Sequence, residues 1–225
     1  MHSGSRQTNL SKTGFREGFP TRFLDYKRMI VYYCFMRHRD DNKVEAIFDA
    51  TIQLVNEIGF AETSISKIAK KANVSAATIY IYHENKEDLL LKTYLKVKGK
   101  MSKSMLQGFD DTRSVKERFE SIIRKYVEFI HTHKDYFLFL EQIMNSPLPQ
   151  KWCLDETASL FQPIFEMFET GKKQNILKAE DVDMLIVYSI LPVAELAKSH
   201  LKNGTRFGNR ELEAAIVMSW DAVKA

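Results

Sequence analysis

The residues whose types and spacing carry a chemical signal lie between Gly59 and Leu89, GFAETSISKIAKKANVSAATIYIYHENKEDL. In a first short amphipathic stretch, Thr63 or Ser64 can cap a helix that turns Ile65, Ile68, Ala69 and Ala72 inward. Asn73 follows the helix end, where a left-handed residue is often required and Asn substitutes for Gly. Val74 fills the core, and Ser75 caps a second short helix, Ala76–Tyr82. Ile79 must face inward there, which leaves Ala76, Ala77, Thr78 and Tyr82 outward and Tyr80 at the edge. A solvated helix face ordinarily carries Lys and Glu; this one carries no charge. Small uncharged residues let a helix enter the major groove of DNA without desolvating trapped charges. Thr78 can touch a thymine methyl or a phosphate, and the hydroxyls of Tyr80 and Tyr82 can reach phosphates. Lys86 opens the next helix, where a cation and free amides can hold a phosphate, and Lys67, Lys70 and Lys71 put charge on the supporting helix. The chemistry is nucleic-acid recognition by a helix-turn-helix.

Other chemistries find no support. There is no nucleophilic elbow, phosphate-cradling glycine loop or spaced carboxylate pair, so no enzyme is expected. His131 and His133 stand two apart on a helix, point to different faces and make a poor chelate. His83 is expected to be an ordinary polar surface residue. The two cysteines, Cys34 and Cys153, sit in no metal-ligand spacing and fit a reducing cytosol. No cofactor or metal is expected. No apolar run reaches the roughly 18 residues of a membrane span, so no membrane partner and a cytoplasmic location are expected.

The elements that must position these residues are all helical. The chain has 225 residues with 44% apolar side chains, enough for a sizeable core. Its net charge of +4 is unevenly placed: residues 1–39 carry eight basic and two acidic side chains, and the remainder is net negative. Residues 1–35 show no sustained period, and a second start is visible at Met36. They read as a structureless extension or a non-native start, or else as a basic arm that reaches the DNA minor groove. The domain reading is 1–40 as extension, 41–88 as the helix-turn-helix domain and 89–225 as a second helical domain.

Within it, a first helix is predicted over residues 43–58, capped by Asp41 or Asn42 and ended by Gly59. Asn85 caps a helix that passes Lys100, and Ser114 with Glu117 forms a capping box for the next. Asp135 opens a short helix, and Ser146-Pro147-Leu148-Pro149 is a loop. Helices then cover 155–174 and 182–202, kinked at Pro163 and Pro192, and 209–222. The stretch 182–202 is apolar almost all round, which a monomer surface would not tolerate.

The helix-turn-helix run resembles the signature of the TetR family of bacterial transcriptional regulators. Gly59-Phe60, Thr63-Ser64-Ile65, Ile68-Ala69, Val74-Ser75, Ile79-Tyr80, Asn85-Lys86-Glu87 and Leu89 match it in unbroken spacing over about 47 residues. It departs at Asn73, where Gly is usual, and at His83, where an aromatic or branched apolar residue is common. The resemblance implies that Ser64, Ser66, Ala76, Ala77, Thr78, Tyr80, Tyr82 and Lys86 face DNA. It further implies a homodimer through residues about 182–202 and 209–222, a near-palindromic double-stranded operator, and a variable helical domain that takes a small molecule. Aromatic enrichment in that domain fits an apolar effector pocket drawn from Phe119, Tyr126, Phe137, Met144, Trp152, Phe161, Phe165 and Tyr188, although residue by residue ordinary core explains them better. The expected function is a repressor released from its operator by a hydrophobic effector. The alternative is a chromosome-binding structural or protein-interaction factor with no effector.

Overall fold

A computed structural model describes the backbone of residues 23–149, 152 and 155–225, and the side chains of 41–149, 152 and 157–225. Cys153 and the side chains of Cys34 and of the basic arm lie outside the described residues.

Between Pro20 and Gly59 the sequence holds neither Gly nor Pro. The first helix, α1 (Phe23–Glu62), uses that breaker-free length. Residues 1–35 were expected to lack regular structure; the backbone is instead helical from Phe23, and Asp41 and Asn42 lie inside the helix rather than capping it. The absence of a breaker outweighs the absence of an amphipathic period. Gly59 interrupts α1 at φ 78°, ψ 164°, a conformation that favours glycine.

Two short helices follow, α2 (Ile65–Lys71) and α3 (Ala76–Tyr82), then the long α4 (Lys86–Met105). The capping box of α5 (Val115–Thr132) forms: Glu117 N–H donates to Ser114 Oγ, and the Ser114 N–H donates to the Glu117 carboxylate at 3.0 Å. α6 (Lys134–Met144) leads into the Pro147–Pro149 loop.

The two prolines do more than kink. The helix expected over 155–174 is two, α7 (Asp155–Leu160) and α8 (Gln162–Lys173). That expected over 182–202 is also two, α9 (Val182–Ser189) and α10 (Leu191–Lys202). Pro163 and Pro192 each sit in the first turn of the second helix, where the missing N–H leaves no hydrogen bond unmade. α11 (Asn209–Val223) closes the chain, and its end is tied back by Lys178 N–H donating to Val223 O at 2.9 Å.

The chain divides into two compact units, 1–42 and 43–225. The second unit is held by apolar clusters of unequal size. A small one joins Ile47, Ala50 and Leu54 of α1 to Ile68, Ala69, Ile79 and Leu89. A large one takes the next face of α1 (Phe48, Ile52, Val55) and runs through α4, α5, α6 and α8 to α11. Gly171 of α8 is part of its packing: a Cβ there would sit 2.6 Å from Leu177 Cδ1 and 3.0 Å from Val115 Cγ1. Gly171→Ala is therefore expected to destabilise the fold by about 1–3 kcal/mol through overpacking. Urea denaturation of wild type and variant checks this; equal midpoints would show that Leu177 moves aside freely.

Candidate nucleic-acid interface

Local devices fix the start of α2 and the turn between α2 and α3. Ser64, rather than Thr63, caps α2, accepting from Lys67 N–H at 3.3 Å. Thr63 is buried and donates its hydroxyl to Gly59 O at 2.7 Å, which braces the end of α1. Asn73 adopts φ 53°, the left-handed geometry expected of it. Ser75 caps α3 through Thr78 N–H at 3.0 Å, and the Ser75 and Thr78 hydroxyls are hydrogen-bonded at 2.9 Å. That second bond engages the Thr78 hydroxyl, and Thr78 is half-buried. On α2, Ser64 and Ser66 hydroxyls pair at 3.0 Å.

Ile79 is fully buried, so it fixes the rotation of α3. The exposed face then differs in part from the expected one. Ala77 is exposed, and Tyr80, expected at the edge, is 56% exposed. Ile81, which sequence reasoning passed over, is 73% exposed. Tyr82, expected outward, and Ala76 pack instead against the small cluster. The reason is helical geometry: Tyr82 stands three residues after Ile79 and shares its side of the helix. A bare β-branched residue at position 81 was the available signal for the missed position.

Lys86 lies where α4 begins, but its ammonium is not left to solvent. It donates to Phe60 O at 2.7 Å and Ala61 O at 3.4 Å, stapling α4 to the end of α1. Partial burial holds its pKa below the ordinary lysine value. Lys67 and Lys71 are likewise engaged, with Glu62 O at 2.7 Å and Glu57 at 2.7 Å, whereas Lys70 is exposed. His83 is not the ordinary surface residue expected. Its Nδ1 lies 3.5 Å from the Asp88 carboxylate, and burial lowers its pKa.

In the second half of the unit, a cavity of about 740 Å³ opens between α4, α5, α6, α7, α8 and α9. Of the eight sequence-derived pocket residues it gathers Tyr126, Met144, Phe161 and Phe165. The other four are not among its lining. Phe119 is buried in the core, with ring centroids 6.2 Å from Phe168 and 5.3 Å from Trp220. Phe137 is sealed in a separate cluster with Ile130, Ala194 and Ala197. Trp152 packs beside Tyr94, with ring centroids 5.5 Å apart. Tyr188 is 63% exposed on α9, because Leu185 and Ser189 take the inward positions. The residues that sequence reasoning missed are chiefly Lys98, Met101 and Met105 of α4 and Ile186 and Ile190. Their positions on one side of α4 are visible in the sequence, but what faces them is not.

The comparisons with known proteins agree with this geometry. Residues 47–93 match the family model described as "Bacterial regulatory proteins, tetR family". Residues 114–224 match that described as "Tetracyclin repressor-like, C-terminal domain". An uncharacterized HTH-type transcriptional regulator of Haemophilus influenzae is 26% identical over 190 residues, covering 84% of this chain and 100% of its own. The crystal structure of a TetR family transcription regulator from Marinobacter aquaeolei VT8 superposes with a TM-score of 0.76 at 28% identity, covering 84% of this chain and 98% of that one. The transcriptional regulator FadR from Bacillus subtilis, in complex with stearoyl-CoA, shares the fold at 23% identity, with a TM-score of 0.62 over 79% of this chain and 95% of that one.

Removal of the two tyrosines should separate packing from surface. Tyr82→Ala is expected to lower stability by about 1–3 kcal/mol, because it empties part of a cluster, whereas Tyr80→Ala should stay within about 0.5 kcal/mol of wild type. Thermal unfolding of both variants decides it; equal losses would mean that α3 is rotated from the described position.

Proposed function

The chain belongs to the TetR family of helix-turn-helix transcriptional regulators, and from that premise we propose that it is a homodimeric repressor released from its operator by a hydrophobic effector. One observation carries this reading: α4 is a common wall of the reading head and the cavity. Its first turn contributes Leu89 to the cluster that holds Ile79 of α3. Its last two turns contribute Met101 and Met105 to the cavity lining. An effector that displaces the far end of α4 therefore alters the seat of α3. It shifts the equilibrium only to the extent that it binds the released state more tightly. A fold relative in complex with stearoyl-CoA supports the idea that this architecture takes an apolar ligand.

The reading face comprises Ala77, Thr78, Tyr80 and Ile81 on α3, with Ser64 and Ser66 on α2 as backbone contacts. Ala76 and Tyr82 support it from behind. Lys86 adds charge at its edge while fixing α4 to α1. The division of labour falls near residue 88, with the effector and dimer functions in 89–225.

The dimer face follows from exposure. α9 and α10 leave Met184, Val187, Tyr188, Leu191 and Leu196 exposed, and α11 leaves Val217 at 57% and Met218 at 72%. The opposite sides of the same helices are buried, through Leu185, Val193, Ala215 and Ile216. An exposed apolar band of this extent, on helices already anchored by their other face, fits an isologous four-helix contact. Two copies then present two α3 helices to a near-palindromic operator.

Tyr80→Ala and Thr78→Ala are each expected to weaken operator binding by about 1–3 kcal/mol, Tyr80→Ala at unchanged stability. Gel shift against the protein's own promoter region measures this, and wild-type affinity in both would remove the assigned face. The double variant Val217→Glu, Met218→Glu should sediment as a monomer and lose operator affinity with it. A dimer surviving these charges would place the contact elsewhere. Operator occupancy unchanged by every apolar ligand that fills the cavity would favour a chromosome-binding factor without an effector.

A further inference from the structure

The cavity is lined mostly by apolar side chains, and Lys98 is the one cation among its described lining residues. Lys98 enters it from α4 and makes no hydrogen bond or ion pair with the described residues. Its ammonium lies 5.7 Å from the centroid of the Tyr94 ring and 5.5 Å from that of Phe161. Aromatic faces at that distance temper a buried cation without neutralising it. The carboxylate whose charge Lys98 feels is Glu141, and Glu141 is committed to an ion pair with Lys198, which also holds Glu195 at 3.2 Å. The only carboxylate among the described lining residues is Asp183, an exposed residue of α9. Burial accordingly pulls the Lys98 pKa down, with Glu141 countering in part.

A second polar group lines the same cavity. Tyr126 lines the cavity, feels the same Glu141 charge, and has no hydroxyl partner among the described residues. Burial raises its pKa, so it remains a neutral donor. A half-buried ammonium and a neutral O–H donor share one lining with Met101, Met105, Phe165 and Ile186. A partly desolvated cation with no ion pair among the described residues is stabilised by an incoming anion. A single cation matches a single negative charge, whereas a dianion would leave one charge unpaired in an apolar wall.

We propose that Lys98 anchors an anionic head group, and that the cavity takes an amphipathic monocarboxylate with an apolar body. This rests on the effector reading above and specifies its ligand class. Lys98 and Tyr126 hold the carboxylate by charge-assisted hydrogen bonds, and the tail lies along the methionines and aromatics. The volume of about 740 Å³ suits a ligand of that kind.

Isothermal titration of the full chain with decanoate, decanol and decyltrimethylammonium, all below their aggregation limits, tests the proposal. Decanoate should bind at least about 10-fold tighter than decanol, and the cation should not bind, in keeping with one charge-assisted hydrogen bond. Lys98→Met should weaken decanoate about 10- to 100-fold and leave decanol unchanged or tighter. Equal affinities of wild type for decanoate and decanol would overturn the proposal, as would no decanoate binding, or Lys98→Met retaining full affinity. The wild-type comparison stands whether or not the variant folds. Decanoate that binds through Lys98 without releasing the operator leaves the anchor in place and removes effector release. Decanol that releases the operator as well as decanoate does the reverse.

Discussion

The packing of α4 ties the two main apolar clusters of the second unit together. A helix of 20 residues has two ends about 30 Å apart, and here the ends belong to different cores. Leu89 is locked beside Ile79 and Ile68, whereas Leu90, Tyr94, Val97, Met101 and Met105 are locked into the larger cluster. The helix is capped firmly at its first turn, where Asn85 accepts from Asp88 N–H at 2.9 Å and Lys86 clasps the end of α1. It cannot slide or rotate at one end without disturbing the other, because close-packed side chains transmit displacement rather than absorb it.

The contacts between α1 and the second half of the unit reinforce that constraint. Lys96 of α4 pairs with Glu45 of α1 at 2.6 Å, and its ammonium stands 4.2 Å from the Phe48 ring centroid. Phe48 in turn meets Tyr136 of α6 edge-on, and Asn56 donates to Asp135 O at 2.9 Å. The helix-turn-helix is thus attached through two helices, α1 and α4, that share one apolar seam. Ion pairs at the rim of this seam are exposed and contribute little individually. Burial of Phe48, Ile52, Val55, Leu90, Tyr94 and Val97 does most of the holding.

The cavity and the exposed apolar band are consequences of how the prolines divide the later helices. An unbroken helix over 182–202 would point its apolar side chains all round one axis. Ending α9 at Ser189 lets Leu185 and Ile190 turn inward while Tyr188 and Leu191 turn out. The same division at Phe161 brings Phe161 and Phe165 to the cavity while Phe168 closes the core behind them. Lys98 makes no ion pair with the described residues, and Glu141, the charge it feels, is held by Lys198.

The sequence by itself determined what is local. Ser64, Asn73, Ser75, Asn85 and the Ser114–Glu117 box act through bonds to residues two to four positions away, so their spacing was enough to read the caps and the turn. Ile79 was legible as an anchor from its position among small and polar neighbours on a short helix, and the family resemblance followed from that spacing. Tertiary structure decided whatever depends on a partner distant in the chain. It turned Tyr82 inward and exposed Ile81, tied Lys86 to carbonyls 25 and 26 residues earlier, and sorted eight aromatic and methionine candidates into cavity, core and surface. Lys98 shows the limit most plainly. In the sequence it is one lysine among several on an amphipathic helix, and only the helices packed against it make it a charge in an apolar wall.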